Sequence, residues 1–94
     1  MKTNMRVKEI EEMEIRVLHF PKEDVFFAPR DKARRDKSIQ AVSDMEEPVC
    51  ITFQDIEGAK TVRSQIRNCA KDLITLAGNV GIPVHRIIQI DLIK

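Results

Sequence analysis

Tryptophan and tyrosine are absent from this chain, and its aromatic residues amount to four phenylalanines in 94 positions. That removes the commonest base-stacking platforms and interface anchors and leaves a core of Ile, Val, Leu and Met. Glycine is scarce too, at three residues, too few for a phosphate-cradling loop, which needs several in one turn. Only two cysteines occur, Cys50 and Cys69. Both fall at positions read as buried, and a lone pair without an export signal points to reduced, structural thiols. His19, His85, Cys50 and Cys69 lie singly, with no CxxC, HxH or HExxH spacing, so no metal site and no cofactor are expected. No apolar run reaches the length of a membrane span, and the first residues lack the apolar centre of a signal peptide. Cytoplasmic residence without a membrane partner is the expectation.

The charge is balanced overall, with 16 Lys plus Arg against 15 Asp plus Glu, but locally polarised. Residues 30–37 (RDKARRDK) hold five cations and two anions, whereas residues 9–14 (EIEEME) hold four anions and no cation. One domain is all that 94 residues can build.

The stretch 55–78 has the spacing of an amphipathic helix. Ala59, Val62, Ile66, Cys69, Leu73 and Leu76 recur every three or four residues, with Ile56, Ala70, Ile74 and Ala77 widening the stripe. Asp55 suits an N-cap, since its carboxylate can accept from first-turn amides, and Gly78 suits the helix end. Lys60, Arg63, Arg67 and Lys71 then flank the stripe. They could follow a phosphate backbone, with Ser64 and Asn68 adding hydrogen bonds, or form a solvated face whose stems cover the core edge.

Along the rest of the chain, Met5, Val7 and Ile10 could begin a strand or a helical turn. Met13–Phe20 and Val25–Ala28 read as a β-hairpin around a Pro21–Asp24 turn. Residues 30–47 read as a mobile basic loop with partial helix after Ser38, or as one polar helix. Val49–Phe53 is a β-branched strand. Val84–Ile93 is another, with Val84, Ile88, Ile90 and Leu92 on one face and Ile87 and Ile93 among the polar residues of the other. The expected fold is α+β: a small antiparallel or mixed sheet of about four strands with one long amphipathic helix (55–78) on one face. Strand–helix–strand over 49–93 would be a right-handed crossover if its strands are parallel.

Catalytic chemistry finds little support. Ser38, Ser43 and Ser64 have no oxyanion or elbow context, Cys69 lies in the apolar stripe, and Glu11-Glu12 and Glu46-Glu47 look solvated. His85 beside Arg86 reads as an ordinary surface residue. A binding protein rather than an enzyme is therefore expected, one associated with nucleic acid in an accessory or regulatory role. Its contacts would come from Lys60, Arg63, Arg67 and Lys71 together with Arg30, Lys32, Arg34, Arg35 and Lys37. The competing expectation is a protein–protein module, either a homodimer whose sheet edge covers Ile87 and Ile93 or an inhibitor docking on a larger nucleoprotein enzyme.

Overall fold

Residues 7–93 are described by the computed structural model. In chain order they form β1 (Lys8–Glu9), a 3-10 helix (Glu12–Val17), α1 (Pro29–Ser43), β2 (Val49–Asp55), β3 (Gly58–Ser64), β4 (Ile66–Cys69), β5 (Leu73–Leu76), β6 (Gly81–Pro83), a short 3-10 helix (Val84–Arg86) and β7 (Ile87–Leu92). The molecule is α+β, with one long helix packed with two sheets. One sheet has the order β1-β3-β2-β7, and the other has the order β4-β5-β6.

The helix is Pro29–Ser43, and the stretch 55–78 is strands and turns. Starting at Val49, alternate residues of β2 are buried, through Ile51 and Phe53 to Asp55. The chain turns over Ile56-Glu57, and β3 returns in antiparallel register from Asp55↔Gly58 to Val49↔Ser64. Gly58 supplies the φ of 136° that the turn requires. The Asp55 carboxylate does accept from the next free amides, Glu57 N (2.9 Å) and Gly58 N (3.1 Å). A helix N-cap and a carboxylate-capped turn use the same local bonds, so Asp55 alone does not distinguish them. The apparent helical stripe is a coincidence of three strands: Val62 belongs to β3, Ile66 to β4 and Leu76 to β5. Gly78 lies in the β5–β6 turn, where Asn79 takes a φ of 63°.

The chain passes between the sheets twice, at Gln65 between β3 and β4 and through Val84–Arg86 between β6 and β7. Between the sheets, Ile51, Phe53, Val62 and Ile87 share one core with Ile74, Leu76 and Ile82, and α1 contributes Ile39 and Val42. Each large side chain buried there contributes about 1.5–3 kcal/mol.

Further expectations are corrected. Glu12–Val17 is a 3-10 helix and no strand is present over 25–28. The acidic run closes locally, Glu11 N donating to Glu14 Oε2 at 2.7 Å. Residues 30–37, expected first as a mobile basic loop, are helical and run without a break through the expected helix after Ser38 as α1, the single polar helix of the alternative, which Pro29 opens at its first turn. β2 and β7 are antiparallel neighbours with no crossover between them. A register shift at Thr52/Phe53 pairs Phe53 with Ile87 and turns Ile87, expected among the polar residues, fully into the core, while Ile90 is buried as expected. Val7 is exposed beside β1, while Met5 lies outside the described residues. No described helix is long and apolar enough to cross a membrane.

Candidate nucleic-acid interface

Helix geometry divides the basic segment of α1 into two faces. Arg35, Ile39 and Val42 are its buried residues, spaced by four and three. Arg30, Arg34 and Lys37 share the same spacing on the opposite side and are exposed. None of these three enters an ion pair with the described residues. Lys32 is half-buried on the intervening flank.

Arg35 is committed elsewhere. Its guanidinium donates bidentately to Asp24, Nη1 to Oδ1 at 2.7 Å and Nη2 to Oδ2 at 3.0 Å, and Nε reaches Asp36 Oδ1 at 3.2 Å. Its Cζ also lies 5.5 Å from the Phe26 ring centroid. Burial pushes the Asp24 carboxyl up, but the Arg35 hydrogen bonds and the Phe26 amide outweigh it and hold the group below its ordinary range.

Lys60 is committed too. It lies 6% exposed on the core side of β3, where Nζ donates to Asp55 Oδ2 and to Glu57 Oε1 at 3.0 Å. Burial opposes its charge, yet the Asp55 carboxylate reverses that and raises its pKa. Asp55 is lowered for the reciprocal reason, burial being overcome by Lys60 and the turn amides.

The other expected cations do not line one face. Arg63 is exposed on β3, 3.6 Å from Glu9. Arg67 is exposed on β4 and donates to Asn79 Oδ1 at 3.1 Å. Lys71 is exposed in the β4–β5 turn, and Asn68 is exposed on β4. Ser64 Oγ bonds to Glu12. Lys60 and Arg63, an odd number of residues apart on one strand, point to opposite faces of the sheet.

Two features next to this face have no counterpart in the sequence reading. Arg86, whose neighbour His85 is expected at the surface, is buried. It donates to Gln54 O (2.9 Å) and Glu23 O (2.7 Å), while His85 Nε2 sits 2.9 Å from Pro21 O. Together with Arg35 and Asp24, these bonds pin the irregular segment 21–28 from which α1 starts. The second is Phe27, 91% exposed two residues before Pro29. Adjacent Phe26 and Phe27 carried the available signal, since two successive rings cannot both face one core.

Beside α1 a cleft of about 300 Å³ opens towards β7. Phe26, Arg34 and Ser38 line one wall, Ile88, Gln89 and Asp91 the other. Gln89 Nε2 donates to Asp91 Oδ2 at 2.6 Å.

Neither cysteine is fully buried: Cys50 is half-buried, its Sγ 3.0 Å from Thr61 Oγ1, and Cys69 is exposed. Partial desolvation of the otherwise exposed Cys69 thiol raises its pKa against the Ser43 hydrogen bond, and Asp44 adds to the rise, which disfavours a reactive thiolate. No family model, no curated protein and no solved structure matches this chain.

Proposed function

We propose that this protein binds the phosphate backbone of nucleic acid through the outer face of α1, as an accessory or regulatory factor rather than an enzyme. The observation that carries the reading is the row Arg30, Arg34 and Lys37: three exposed cations on one helix face, without carboxylate partners among the described residues. At about 1.5 Å per residue the row spans about 10 Å, room for a short run of phosphates along one strand. The Arg35–Asp24 pair and the Arg86 bonds give the row a fixed base, which lowers the ordering cost of binding. Arg63, Arg67 and Lys71 are secondary contacts at most, and Arg35 and Lys60 drop out. Residence in the cytoplasm belongs to the reading, and two unpaired cysteines suit it.

Fluorescence anisotropy with labelled oligonucleotides tests the proposal. Three released counterions give a slope of log K against log salt of about −2 to −3. Absence of binding at low salt would overturn it.

A protein–protein role is the second reading. It is favoured by β7, the last strand in its sheet, and by Val17 and Ile56, 75% and 69% exposed. The case for a homodimer is weaker than the sequence suggests, because Ile87 is covered by the chain's own core. Light scattering reporting a dimer at micromolar concentration would favour this reading.

A further inference from the structure

We infer that the nucleic acid held by the α1 row is single-stranded, with one unstacked base lying on Phe27 and another entering the cleft between α1 and β7. The inference rests on the phosphate-binding reading above and names its substrate class.

Two independent features point to free bases. The first is Phe27, whose ring is 91% exposed. Phe26, its neighbour, is half-buried against the Arg35 guanidinium, so the exposed ring is not needed for folding at that corner. An exposed ring next to a cation row matches the single-strand pattern of a charged track for the backbone and an aromatic face for the bases. Phe27 lies three residues from Arg30, at most about 10 Å along the chain, within reach of a nucleotide whose phosphate Arg30 holds.

The second feature is the cleft. Arg34 belongs both to the outer row and to the cleft wall, so a backbone on the row runs along the cleft mouth. Inside are apolar surface from Ile88 and Phe26, hydrogen-bonding groups from Ser38 and Gln89, and two carboxylates, Asp31 and Asp91. The Asp91 carboxylate repels phosphate but accepts from a base amine, so backbone and base are sorted to different places by sign. A paired duplex keeps its bases stacked and cannot use either feature.

The test compares anisotropy of the whole chain with single-stranded and duplex oligonucleotides of equal length, as DNA and as RNA. The arms are wild type, Phe27→Ala, Gln89→Ala and the triple variant Arg30→Glu/Arg34→Glu/Lys37→Glu. Single strands should bind at least tenfold more tightly than duplex. Phe27→Ala should lose roughly 5- to 150-fold for single strands with the salt slope unchanged, and Gln89→Ala should lose several-fold. Equal affinity for both forms, with Phe27→Ala and Gln89→Ala silent but the triple variant inactive, would overturn this inference and leave the phosphate-binding reading standing. No binding of either form at low salt would overturn both. The relative strength of the DNA and RNA arms identifies the sugar. Phe27 is exposed and Gln89 lies on the surface of β7, so thermal melts of the two variants should match wild type, and a lowered melt would count against their assignment as ligand contacts.

Discussion

Arg34 and Arg35 are neighbours in sequence and occupy opposite environments. One step along α1, about 100° of rotation, takes the guanidinium from open solvent to a 6% exposed position where Asp24 grips both its terminal nitrogens. The same contrast separates Lys37 from Lys60. Five cations share the segment 30–37, but the fold assigns them different work: Arg35 ties the helix to the loop before it, while Arg30, Arg34 and Lys37 face outwards. Net charge and local charge density are blind to that division. Burial and the position of the carboxylates decide it.

The sharpest way to break the contrast is to remove a committed cation. Lys60→Ala leaves the Asp55 carboxylate buried beneath the β2–β3 turn without its partner, and the expected cost is about 3–5 kcal/mol, measured by urea denaturation. Arg35→Ala should cost less, about 2–3 kcal/mol, because Asp24 is partly open to water and retains the Phe26 amide. In both cases any loss of nucleic-acid affinity should follow loss of folded protein. A stably folded Lys60→Ala variant with wild-type melting would show that the buried pair is not holding the turn.

Acid distinguishes the two sets next. Asp24 and Asp55 are held below their ordinary carboxylate pKa in the folded chain, so their contribution is present above the unfolded value near 4 and is lost as pH falls through the lower folded value. Lys60 works in the other direction. Its raised folded pKa means a contribution complete below the unfolded value of about 10.4 that disappears as pH rises through the folded one. The contribution of these three groups should be constant between those limits and fall away outside both. Asp55→Asn should flatten the acid limb, and an unchanged limb would remove Asp55 from the explanation.

Much of this division lay below the resolution of sequence pattern. The α+β class was legible, because β-branched runs at Val49–Phe53 and Val84–Ile93 announce strands. The helix was misplaced because its buried side consists of only Arg35, Ile39 and Val42, one of them a cation, so α1 carries a weak apolar stripe. The strands at 58–76 imitate a strong one. Strand alternation is present over 49–55 but not over 58–64, where Ala59 and Val62 stand three apart, and Gly58 directly after Ile56-Glu57 marks a hairpin turn more naturally than the first turn of a helix. As for the candidate site, Arg30, Arg34 and Lys37 were named from composition. Recognising that Arg35 and Lys60 were unavailable needed the positions of Asp24 and Asp55, set by tertiary packing. Phe27 was hidden for the same reason: its exposure depends on which of two adjacent rings turns inward.

The smallest effect on stability comes from the row itself, and it carries the most direct test. Changing Arg30, Arg34 and Lys37 together to glutamate touches no buried contact, so unfolding free energy should move by about 0.5 kcal/mol or less per site, whereas nucleic-acid binding in low-salt anisotropy should disappear. A triple variant that melts like wild type and still binds with wild-type affinity would contradict the assignment of the α1 outer face as the binding surface.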